Sequence, residues 1–119
     1  MTLIDYMIQE GTVSSTSTTW ETVAQREIVM NRPTMIWVYC EYTGSVTDKS
    51  IGLRLVVNGT EMSTDYHTPS IAGAYKQFCF FTVVEPPAQT LYTVEPQARV
   101  ESSPQQVTVR RLRMASMQE

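Results

Sequence analysis

Residues 34–42, TMIWVYCEY, place the tightest constraint on what this chain can fold into. Successive side chains of a strand point to opposite faces. Here Ile36, Val38 and Cys40 line one face, and Met35, Trp37 and Tyr39 line the other. Both faces are apolar or aromatic, so the strand is central or its outer face meets a partner. The rest of the chain supplies covering layers as sheet. Val, Ile and Thr account for 35 of the 119 residues, against 6 Ala, 5 Leu and 2 Lys. Branched side chains suit a pleated surface better than a helix. A chain of this length forms one domain and buries enough surface for one core without metals or disulfides.

The other segments read as strands separated by turns. Residues 1–18 form an N-terminal arm and a hydroxyl-rich linker, and residues 2–8 are either an edge strand or an arm docking on a neighbour. Residues 19–30 carry mixed signals. Thr18 with Glu21 resembles a capping box, while Thr22, Val23, Ile28 and Val29 favour strand, the reading taken here. Residues 51–57 and 60–66 flank Asn58-Gly59, the strongest short-range hairpin signal, because both positions accept positive φ. Residues 75–84 form an aromatic strand that Pro86-Pro87 ends, and residues 90–95 alternate strictly. Residues 96–104 are a polar connection with room for a short strand around Val100, 105–114 close the domain, and 115–119 are a tail. The sum is an all-β chain. It is a single β-sandwich over residues 19–114, jelly-roll-like, with seven or eight antiparallel strands.

Chemistry is sparse. The one histidine, His67, has no nucleophile elbow near it in sequence. One His and two distant Cys do not make a zinc site, and five glycines without Gly-x-Gly do not make a phosphate loop. The expectation is therefore a protein with no catalytic residue, metal or cofactor. Cys40 and Cys79 lie in strands and read as two buried thiols, with a disulfide possible only between adjoining strands. The net charge of −3 argues against direct nucleic-acid binding. No apolar run approaches the roughly 20 residues that span a membrane, and MTLIDYMIQE lacks the regions of a signal peptide. Arg110, Arg111 and Arg113 form the one basic cluster. It suits an acidic patch on a partner, or a charged edge that deters pairing. The aromatics exceed what one small core must bury, so some lie on a contact surface or a sugar platform.

Four stretches together carry a resemblance: TTWETVA at 18–24, MIWVY at 35–39, GLRLVVNGT at 52–60 and VTVRRL at 107–112. In that order the chain resembles small β-sandwich virion proteins of tailed bacteriophages, including capsid decoration (cement) proteins. The resemblance implies a jelly-roll-like body, homotrimers and docking on the major capsid protein by loops and an N-terminal arm. It implies no cofactor and no catalytic residue. The location it implies is the capsid surface of the virion, after synthesis in the host cytoplasm. The expected partner contacts are Leu3, Ile4, Tyr6, Trp20, Arg110, Arg111 and Arg113. The alternative reading is a carbohydrate-binding or receptor-binding module of a tail fibre, with exposed Trp and Tyr as stacking platforms.

Overall fold

A computed structural model describes residues 1–85 and 91–119, and the expected stop at Pro86-Pro87 and residue 90 lie outside the described residues. The described residues form ten strands and no helix. They are β1 (Thr2–Ile8), β2 (Thr12–Ser15), β3 (Glu21–Thr22), β4 (Arg26–Val29), β5 (Thr34–Gly44), β6 (Ile51–Val57), β7 (Thr60–His67), β8 (Lys76–Val84), β9 (Leu91–Val100) and β10 (Val107–Gln118). Sheet A has the order β1-β10-β5-β8, with β2 also on β10, and sheet B has the order β3-β9-β6-β7, with β4 also on β9.

Both extra strands come from broken edges. β1 pairs with Arg113 to Gln118 of β10, and β2 pairs with Val107 to Arg110 of the same strand. β3 and β4 share the edge of β9 in the same way. Counting each broken edge as one rung leaves eight rungs, two sheets of four. Numbered along the chain, their spatial orders are 1-8-3-6 and 2-7-4-5. That is the jelly-roll arrangement, two Greek keys closed face to face. All strand pairs are antiparallel.

Residues 2–8 take the edge-strand alternative, forming β1 on the free edge of β10. Other expectations are corrected here. The expected tail is part of β10, which pairs with β5 as far as Gln118. The expected polar connection after Pro96 is strand as far as Val100. Proline is tolerated there for a local reason. Its carbonyl accepts from the Val23 N–H at 2.8 Å, so the side of Pro96 that lacks a donor faces the break between β3 and β4. The hairpin forms as the sequence implies. Asn58 and Gly59 sit at φ of 50° and 77°; the Asn58 N–H donates to the Thr93 carbonyl at 2.9 Å, and Asn58 Oδ1 accepts from the Thr93 N–H at 2.8 Å.

The core lies between the sheets. Ile36, Val38, Cys40 and Tyr42 from β5 and Leu112 and Met114 from β10 meet Leu53 and Leu55 from β6 and Val94 and Val100 from β9. Two polar clasps close the sandwich. Arg26 on β4 grips Asp5 on β1 with two hydrogen bonds of 2.6 and 3.0 Å. Tyr42 on β5 donates to Asp65 on β7, and Lys76 on β8 reaches the same carboxylate at 3.0 Å. Burial acts to raise the Asp65 value, but the hydrogen bonds from Tyr42 and Lys76, with the Lys76 charge, outweigh it and hold the carboxyl below its usual range.

Candidate interaction surface

The outer face of sheet A is apolar across all four strands. On β5 the outward residues are Met35, Trp37 and Tyr39. Their partners on β8 are Val83, Phe81 and Cys79, and their partners on β10 are Met117, Ala115 and Arg113. Across β10, β1 adds Leu3, Tyr6 and Ile8. Trp37 is 46% exposed, Phe81 54% and Tyr6 51%. These are large side chains in register on neighbouring strands, so they form one continuous surface rather than scattered exposures. Two depressions of about 240 Å³ each mark it, one among Met35, Trp37, Phe81 and Met117, the other between Tyr6, Trp37, Tyr39 and Arg113.

One end of this face is basic, and the sequence shows why. In β10, Val107 and Val109 point inward, and so do Leu112 and Met114. Odd and even positions share a face only if one residue is added between them. The ladder to β5 shifts between Arg110 and Arg113, and Arg111 takes a left-handed φ of 54°. This is a β-bulge, and it turns two consecutive arginines outward. Arg110 Nε donates to Glu41 Oε1 at 2.8 Å, Arg111 Nη1 donates to Oε2 at 3.3 Å, and Tyr39 Oη donates to Oε2 at 3.0 Å. The Arg110 guanidinium also lies 3.5 Å above the Tyr75 ring. The Arg110 hydrogen bond, aided by Tyr39 and Arg111, holds the Glu41 carboxyl below its usual range against partial burial.

The structure separates the expected contact residues. Leu3, Tyr6, Arg111 and Arg113 reach the outer face of sheet A, with Arg110 at its margin. Ile4 turns inward and packs against the core. Trp20 lies across the molecule on the outer face of sheet B. There Arg54 and Arg99 stand 4.5 and 5.6 Å from its ring centroid, and the Tyr66 ring is 6.1 Å away. The ring rests over Gly52, where a Cβ would come within 2.9 Å of it. The broadest part of the apolar face, from Met35 to Met117 and from Phe81 to Val83, was not among the expected contacts. Its signal was the two-sided apolar character of residues 34–42.

Both thiols are free. Cys40 is buried, and burial pushes its thiol up to about 12. Cys79 is exposed, which corrects the expectation of two buried thiols. Cys40 pairs with Phe78 and Cys79 with Tyr39, so the two side chains point to opposite faces of sheet A and cannot bridge. His67 ends β7 with its ring edge-on to Tyr42, 6.2 Å between centroids.

The strand orders define the class as a jelly-roll-like β-sandwich, and solved structures share its fold. The VP2 protein of infectious bursal disease virus, solved as a mutant in derived T=1 particles, matches over 96% of this chain with a TM-score of 0.68 and 13% identity. The insecticidal delta-endotoxin Cry8Ea1 from Bacillus thuringiensis matches over 91% with a TM-score of 0.57 and 16% identity. A Stig cyclase, Fisc from Fischerella sp. TAU, matches over 79% with a TM-score of 0.52 and 11% identity. The chain spans 31%, 19% and 55% of those three chains. At such identities the likeness is one of fold. No family model matches the sequence, and no curated protein matches it.

Proposed function

We propose that this chain is a non-enzymatic structural protein of a virion, working as one subunit in a larger assembly. The observation that carries the reading is the outer face of sheet A, apolar over four strands and basic at one end. Isolated soluble proteins seldom leave so large an apolar patch in water. The likeness to VP2 supports it, since that protein was solved as particles. The finer reading is a capsid decoration protein of a tailed bacteriophage, which holds adjoining major capsid subunits together. In it, Arg111 and Arg113 meet carboxylates on the shell, and Leu3 and Tyr6 add apolar contact.

Co-sedimentation of the purified chain with capsids of the phage that encodes it tests this reading. Wild-type protein is expected to pellet with the shells, and Arg111→Glu/Arg113→Glu to pellet at least tenfold less at 0.15 M salt. Wild-type protein left in the supernatant would overturn the reading. One observation favours the carbohydrate alternative: Tyr6, Trp37 and Tyr39 line an open depression. Quenching of tryptophan fluorescence by oligosaccharides, lost in Trp37→Ala, would support that alternative.

A further inference from the structure

We infer that the apolar face of sheet A is covered by a second copy of this chain, packed sheet against sheet about a two-fold axis. The inference rests on the same reading of that face as a protein contact, and it names the occupant in the free protein, a second copy that the shell replaces on the capsid. Area is the first argument. Leu3, Tyr6, Ile8, Trp37, Phe81 and Val83 are each about half exposed. With 150–250 Å² for a buried aromatic, half exposure leaves roughly 100 Å² on each of Tyr6, Trp37 and Phe81 and somewhat less on each of the three aliphatic residues, so the six present on the order of 500–600 Å². Two copies then bury about 1,000–1,200 Å², which reaches the threshold of a specific interface. Met35, Tyr39, Cys79 and Met117 lie between these residues and take the area higher.

Charge is the second argument. The centre of the face, from Trp37 across Phe81 and Ala115, carries none. One end carries Arg110, Arg111 and Arg113 against Glu41. At the other end Thr34 pairs with both Val84 and Gln118, whose next residues are Glu85 and Glu119, with Arg32 nearby. Two copies facing each other with sheet directions reversed bring the basic end of each over the acidic end of its partner. The same patch thus complements itself, as a two-fold contact requires. β8 carries no charge from Gln77 to Val84, so the apolar face runs without interruption to that margin of the sheet. This pairing differs from the trimer that the resemblance implies.

Light scattering after size exclusion of the full chain is the test. The expected mass is twice the 13.5 kDa of one chain. Trp37→Glu/Phe81→Glu is expected to halve it, while Met62→Glu, on β7 of the other sheet, leaves it unchanged. All three substituted positions are exposed, and circular dichroism checks that each variant folds. A second readout is alkylation of Cys79 by a bulky maleimide, expected to be at least tenfold slower in wild type than in the double variant. Buried Cys40 does not compete in that reaction. A monomer or a trimer at micromolar concentration, a dimer that survives Trp37→Glu/Phe81→Glu, or equal alkylation rates would each overturn the inference. Its failure is separable from that of the decoration reading: a dimer that ignores capsids breaks only the latter, and a monomer that pellets with them breaks only the former.

Discussion

Sheet A turns Trp37, Phe81 and Tyr6 toward its surroundings, whereas sheet B turns Arg54, Gln97, Glu95 and Arg99. Both faces come from the same alternation of side chains, and both contain a tryptophan. On sheet B, Trp20 is engaged within the chain: it rests over Gly52 beneath two guanidinium groups. Around it Arg54 donates to Gln97 at 2.8 Å, Gln97 to Glu95 at 3.1 Å, and Arg54 reaches Glu61 at 3.4 Å. On this face the long polar side chains pair with one another. On sheet A, Trp37 has strand neighbours that are themselves apolar, and its outer side is open. The contrast teaches that an aromatic count does not locate a contact surface; what lies over each ring does.

The contrast can be tested first where both sheets share a core. Leu53 is fully buried between them. Leu53→Ala is expected to cost about 2–5 kcal/mol in urea unfolding. The loss should be the same in the Trp37→Glu/Phe81→Glu background, because core and outer face are separate. A loss that differed between backgrounds would mean that association is coupled to the core.

A smaller effect is expected on sheet B alone. Gly52→Ala places a methyl group 2.9 Å from Trp20 and 3.0 Å from Tyr66. Overpacking of this kind costs about 1–3 kcal/mol, and the ring must shift away from residue 52 against the guanidinium groups that cover it. Urea unfolding and the Trp20 emission maximum, recorded in Trp37→Phe, report it, while the oligomeric mass stays unchanged. A changed mass would show that sheet B also carries a contact between copies.

The smallest effect is one of pH. Glu41 and Asp65 are held below their ordinary values of 4.5 and 3.8. A carboxyl depressed in the folded state contributes stability that is complete above its ordinary value and lost as pH falls through the folded one. Acid should therefore weaken the protein below about pH 4.5. Glu41→Gln should flatten that decline at the basic end of sheet A, and Asp65→Asn should do so at the clasp between the sheets. Unfolding midpoints from pH 6 to pH 2 measure both. An unchanged slope in both variants would place the acid sensitivity elsewhere.

Much of this architecture was legible in the sequence, where the signals are local. Asn58-Gly59 announces its turn because few residues accept positive φ, and residues 34–42 announce a strand covered on both sides. The roughly ten-residue spacing of turns carries the sandwich. The broken edges were less legible, since pairing is decided by distant partners: β1 finds β10 across the whole chain, and β3 and β4 part where Pro96 offers no donor. Nor could the sequence show that Arg54 and Arg99 would cover Trp20, because those arginines come from two different strands. The bulge was legible but overlooked. Val107 and Val109 against Leu112 and Met114 change parity across Arg110-Arg111, and no uninterrupted strand can do that.

That change of parity gives one arginine a role apart from its charge. Arg111 is the supernumerary residue of β10, absorbed outside the ladder so that both halves of the strand face one core. Replacing it alters a side chain. Deleting its codon would leave plain alternation, with Arg113 still outward and Leu112 and Met114 still inward, and would remove the bulge. An added residue beside it would instead reverse every later side chain, so at this position the fold tolerates a dropped letter better than an extra one.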